Sequence, residues 1–157
     1  MTTEHSISLA DIAGVTPFVS TFADVLRLHG TGYEVERMAP YQGKRWLIPA
    51  KIVLHHRTLG VITVFVDPGG DLPPEALVTV VGAEDGSPLR SADGLHVGVP
   101  LAEAEEIIAS GYRVRARFSG VVEVVATDGS GENFLALHSE GDRVVFVGLY
   151  RRDLDRP

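Results

Sequence analysis

The chain predicts an α+β fold: an antiparallel sheet with two short helices on one face, read as a tandem duplication of a helix-plus-strands unit. Three observations carry this expectation. Two segments with helical periodicity and recognisable start and stop residues lie far apart in the 157 residues. Each is followed by short β-branched runs separated by Gly-, Pro- and Asp-rich turns. The same dipeptide opens both strand regions, as "GYEVER" (32–37) and "GYRVRA" (111–116). The units so defined are 1–84 and 85–157, which can share one compact domain. A single curled sheet or small barrel carrying two helices is the alternative architecture.

The first helix is expected within "TPFVSTFADVLRLHG". Thr21 and Asp24 have the spacing of a capping box, Phe22, Val25, Leu26 and Leu28 supply an apolar side, and Gly30 offers the stop. Strands follow at 33–38, at 44–56 with a break, bulge or edge position forced by Pro49, and at 60–66. "DPGGDLPP" (67–74) is the strongest loop signal. A further strand lies in "EALVTVVGAE", and "DGSPLRSADG" (85–94) reads as a second loop.

The plan then recurs. "VGVPLAEAEEIIASG" (97–111) has Pro100 at the first helical position, Leu101, Ala104, Ile107 and Ile108 on one face, and Gly111 at the stop. Strands are expected at 112–118, 121–127, 133–139 and 143–151, with "TDGSGEN" and "SEGD" as turns. Gly32 aligns with Gly111, and "VITVFVD" with "RVVFVGL", in the same order in both halves.

A helix that begins "GVPLAEAE" and ends in Gly before antiparallel strands resembles the BamE type of repeat, and in tandem it resembles the β-lactamase inhibitor protein family. The residues that carry the likeness are Gly98, Pro100, Glu103 and Gly111 in the second unit and the helix–Gly-Tyr junction in the first. The resemblance implies a curved sheet that binds other proteins and performs no chemistry. The chain departs from those families in having no Cys, and its first residues are not expected to act as an export signal, so β-lactamase is not carried over as a target.

Composition narrows the functional classes. With 21 acidic and 14 basic residues the net charge is −7, which disfavours a nucleic-acid backbone as partner. The absence of Cys removes thiolate catalysis and Cys-ligated zinc. "MTTEHSISLADIAG" lacks the basic start and apolar segment of a signal peptide, and no apolar run is long enough to span a membrane, so a cytoplasmic location is expected.

Tests for chemistry return little. "GTGYEV" has Val35 where a dinucleotide fingerprint needs its third Gly, and it leaves a helix for a strand, the wrong order for phosphate at a helix N-terminus. His55 and His56 are adjacent on a strand, so their side chains are expected on opposite faces, and no metal or cofactor is expected. "TDGSGEN" lacks the later carboxylate of a calcium loop. No catalytic residue is assigned.

The faces of the echoed strands are the most informative feature. In "YRVRARF", Arg113, Arg115 and Arg117 are expected to form one continuous basic face, while Glu34 and Glu36 occupy the equivalent positions of the first unit. Tyr41, Arg45 and Tyr150 are candidate additions to a partner-binding surface, because Arg and aromatic residues are enriched in interface hot spots. Trp46 alternates with Arg45, and reads equally as core or as anchor. The expected function is a non-enzymatic module of inhibitor or immunity type that binds another protein. The alternative is a small enzyme or ligand-binding protein with a cleft lined by His55, His56 or His138 and Glu123.

Overall fold

A computed structural model describes residues 6–38, 41–42, 47–48, 51–56, 60–65 and 72–152. Its main sheet is antiparallel, with two helices on one side of it, so the α+β expectation holds. The first half runs α1 (Phe22–His29), β2 (Tyr33–Met38), β5 (Lys51–His56), β6 (Gly60–Phe65) and β7 (Val78–Ala83). The second runs α2 (Leu101–Gly111), β9 (Arg113–Phe118), β10 (Val121–Val125), β11 (Asn133–Glu140) and β12 (Arg143–Arg151). Short pairs complete the set: β1 (Ser6–Ile7) lies parallel to β8 (Arg90–Ser91), and β3 (Tyr41–Gln42) pairs with β4 (Leu47–Ile48).

The eight long strands form one sheet in the order β2-β5-β6-β7-β12-β11-β10-β9. Each half is therefore a helix followed by four antiparallel strands, and the last strands of the two halves lie side by side at the centre. No helix among the described residues is long and apolar enough to cross a membrane.

Local chemistry explains the helix boundaries. The Thr21 hydroxyl accepts the Asp24 backbone N–H at 3.2 Å, and the Asp24 carboxylate accepts the Thr21 N–H at 2.9 Å, closing the capping box. These contacts, with Arg27 beside it, hold the Asp24 carboxyl below its ordinary pKa. Pro100 is the cap of α2 rather than its first helical residue, a one-residue difference at a boundary where assignments commonly differ that much.

One apolar cluster spans both halves. It joins Phe22 and Val25 of α1, Ala104 and Ile108 of α2, and the inward strand residues Leu54, Val81, Val124, Leu137, Val147 and Leu149. The N-terminal segment belongs to it as well: Ile7, Ile12, Ala13 and Val15 are all at most 2% exposed. Sequence periodicity gave no reason to place that stretch in the core, because it forms neither a helix nor a long strand. Tertiary bonds hold it there, among them Asn133 Nδ2 donating to the Leu9 carbonyl at 3.0 Å.

The run 44–56 is divided as the proline leads one to expect: β4 and β5 are separate strands, with Pro49 itself outside the described residues. One expectation is revised. The loop 85–94 contains β8, whose Ser91 hydroxyl accepts the Leu95 N–H at 2.8 Å to close a tight turn.

The sheet packs backbone against backbone at Gly60. Its φ is +103°, and a Cβ there would stand 2.6 Å from the Gly82 carbonyl oxygen on the neighbouring strand. Gly60→Ala is expected to destabilise the protein by about 2–3 kcal/mol through overpacking and backbone strain. Gly32→Ala, with nothing within 4 Å, should stay within about 0.5 kcal/mol of the parent. Urea denaturation midpoints of the two variants check this; equal midpoints would contradict the close approach.

Candidate functional site

Cross-strand partners share a face of a sheet, so strand register sorts every side chain. One unbroken row of partners crosses all eight strands: Glu34, His55, Val61, Gly82, Gly148, Ala136, Glu123 and Ala116. This row lies on the face opposite the helices, since the alternate residues Leu54, Val81, Leu149 and Val124 belong to the helix-side core. The open face has its own small apolar cluster of Val125, Phe134 and Ala136, with Val121 and Tyr150 against it and no helical residue in it.

Glycine shapes the centre of this face. A Cβ on Gly82 would collide with the Phe146 ring, and one on Gly148 would meet the same ring at 2.6 Å and Tyr150 at 2.9 Å. The two aromatic rings therefore lie down over the bare backbone of β7 and β12. Phe134 stacks on Tyr150 with ring centroids 5.3 Å apart, and His138 meets Phe146 edge-on at 5.3 Å. The guanidinium of Arg115 lies over Phe134, 4.1 Å from its centroid, and its Nε is 3.5 Å from Glu123 Oε1. Burial pushes the Tyr150 hydroxyl pKa up, and the nearby Glu123 charge adds to the effect. At the rim, Phe118 shares this face through its partner Val121 and is 56% exposed.

The three arginines of β9 do not share a face. Ala116 pairs with Glu123 but the next pair is Val114 with Val124, so Arg115 is an extra residue, a β-bulge. Arg117, opposite the core residue Val122, points to the helix side and makes a two-pronged bond to Glu105 of α2 at 2.8 and 2.9 Å. That pair holds the Glu105 carboxyl below its usual range. Arg113, opposite Val125, and Arg115 face the open side. The expected continuous basic stripe is thus a pair on the open face and one arginine tying strand to helix.

On β2, at the other end of the sheet, Glu34 and Glu36 are exposed on this same open face, and Tyr33 packs edge-on against Phe22 with centroids 6.0 Å apart. Val35 shares the helix side with Tyr33 but remains 46% exposed. Tyr41 lies in β3, with its side chain outside the described set, and Arg45 and Trp46 lie outside the described residues.

His55 and His56 face opposite ways, as adjacent strand residues must. His56 is buried on the helix side, its Nε2 2.8 Å from the His29 carbonyl oxygen. His55 is on the open face between two carboxylates: Nε2 is 3.2 Å from Glu36 Oε1 and Nδ1 is 3.2 Å from Glu84 Oε2. A neutral imidazole donates from one nitrogen only, so both contacts are satisfied together by the imidazolium. The bond to Glu36, and then that to Glu84, raises the His55 pKa. With both nitrogens engaged, this ring is poorly placed to take a proton from a substrate or hydroxyl. The depressions that flank it, one lined by Thr31, Tyr33 and Glu34 and one by Gly60, Asp85 and Ser87, lie at the surface. Among the described residues no group of three His, Asp or Glu side chains could hold a metal ion.

Compared with known protein families, curated proteins and solved structures, the chain matches none. Sequence reasoning placed Glu34, Glu36, Arg113, Arg115 and Tyr150 in the candidate set and the structure sets all five on one face. It missed Phe118, Phe134, Phe146 and Glu84, which read as ordinary strand or turn residues. The paired glycines of the central strands were the available signal, since a strand glycine often marks close approach of another group.

The His55 contacts carry a pH dependence whose sign is fixed. A folded-state pKa above the ordinary value of about 6.5 adds stability below that pH, and the contribution is lost as pH rises through the folded value. An NMR titration of His55 is expected to give a pKa above that of an ordinary histidine, falling toward it in Glu36→Gln. The stability difference between parent and His55→Ala should shrink from pH 5 to pH 8. A His55 titration at the ordinary value would rule the clamp out.

Proposed function

We propose that this chain is a non-enzymatic protein-binding module that recognises its partner with the open face of the eight-stranded sheet. The observation that carries the reading is the composition of that face. A cluster of aromatic rings lies flat at its centre, with Arg115 stacked over Phe134 and exposed Phe118 and Arg113 at one rim. Aromatic residues and arginine at the centre of a patch, ringed by charge, are the residue types that dominate protein-interface energetics. The inhibitor or immunity type of module, implied by the family resemblance, is one form this function takes.

An enzymatic reading finds less support. His138 contacts Phe146, Glu123 contacts Arg115, and His56 is turned to the core. His55 has carboxylates on both ring nitrogens.

The double variant Arg113→Ala/Phe118→Ala removes two exposed groups and should leave the fold intact by circular dichroism. Tagged parent and variant chains, incubated in native cell extract, can be compared by quantitative mass spectrometry of the retained proteins. Loss of at least about tenfold in a specifically retained protein, equivalent to about 1.4 kcal/mol, is the expected result. Equal retention by the two chains would remove the open face as the binding surface.

A further inference from the structure

The open face is electrically lopsided in a way that matches itself. Glu34 and Glu36 stand on β2, one edge of the sheet, and Arg113 and Arg115 on β9, the other edge. Between them the β7–β12 seam is the midpoint: β6, β5 and β2 lie on one side, and β11, β10 and β9 on the other. The charges also agree along the strand direction. The row that begins at Glu34 ends at Ala116, next to the bulged Arg115. Two residues along β2, and three along the bulged β9, the neighbouring row has Glu36 at one end and Arg113 at the other.

We infer that a second copy of this chain docks on the open face, related by a two-fold axis that runs parallel to the central strands above the β7–β12 seam. The inference rests on the reading of that face as a protein-binding surface and names its occupant. Such an axis exchanges β2 with β9, so Glu36 of one copy meets Arg113 of the other, twice over, while Arg115, held over Phe134 and against Glu123, adds its positive charge nearer the centre of the face. Closed two-fold pairing needs a surface that is its own complement, and this arrangement of charge supplies one. Rotation preserves the hand of sheet twist, so the two faces keep an even separation across their width.

The size is adequate. Eight strands at about 4.8 Å spacing and six residues deep give a face of about 34 by 20 Å, or roughly 700 Å² per copy. That approaches the roughly 800 Å² per partner of a standard interface. The centre offers aromatic rings over Gly82 and Gly148. The Glu123 carboxylate, the acidic group within the central strands' row, is already paired with Arg115.

Sedimentation equilibrium tests this on the purified chain. The parent is expected to move from its monomer mass of 16.9 kDa toward twice that value over micromolar concentrations, with weaker association in high salt. Glu34→Lys/Glu36→Lys and Arg113→Glu/Arg115→Glu should each weaken association by at least about tenfold, because each places like charges together at both ends. An equimolar mixture of the two variants should form a heterodimer, since both contacts become attractive again. Should Arg115→Glu disturb the fold, Arg113→Glu and Glu36→Lys form the corresponding single-charge pair.

Geometry is tested separately in this Cys-free chain. Glu36→Cys/Arg113→Cys should give covalent dimers with a thiol cross-linker spanning about 10 Å, the distance between facing sheets. Within one copy the two positions are about 34 Å apart, out of the linker's reach. A parent that stays monomeric at about 100 μM, a dimer in which the variant mixture fails to re-associate, or growth beyond a dimer would each overturn the inference. A monomeric parent that still loses a different protein on Arg113→Ala/Phe118→Ala would overturn self-pairing while leaving the protein-binding reading in place.

Discussion

The antiparallel pairing of β7 with β12 is the constraint on which the rest of the structure depends. Three residue pairs, Val147 with Ala83, Gly148 with Gly82 and Leu149 with Val81, turn two four-stranded meanders into one sheet. A half of this chain alone would have little interior for its surface, and each would carry a second bare strand edge. The seam is closed differently on its two sides. Toward the helices Val81, Val147 and Leu149 are fully buried in the shared core. Away from them the strands present glycine, and the Phe146 ring takes the space that side chains would have filled.

Fusing the halves also fixes the charge pattern. Glu34 and Glu36 belong to one meander and Arg113 and Arg115 to the other, and only a continuous sheet holds them at a set distance on a common face. In the proposed docking, electrostatic complementarity would govern orientation and partner choice more than raw affinity, and the aromatic centre would supply desolvated contact. The division of labour among the arginines follows from the same sheet. Arg117 locks β9 to α2 through Glu105, Arg115 covers Phe134, and Arg113 stands at the rim.

Much of the fold was legible in the chain because its signals are local. The capping box of Thr21 and Asp24 lies within four consecutive residues, and the apolar face of α2 repeats at helical spacing. Strand existence followed from β-branched runs between turn residues. The burial of Ile7, Ile12 and Val15 was not legible, since those residues owe their place to contacts with distant strands and not to any periodic pattern of their own.

The site was legible in its residue types and not in its geometry. The sequence alone determined that strands after the two Gly-Tyr junctions carry opposite charges, that His55 and His56 must part company across a strand, and that no Cys chemistry is available. Tertiary structure decided which charges share a face. A single bulged residue, Arg115, shifts the alternation of β9 by one position and sends Arg117 to the helices. Strand side chains repeat every two residues, so an insertion of one residue reverses everything beyond it, and such a bulge is set by pairing with β10 rather than by β9 itself.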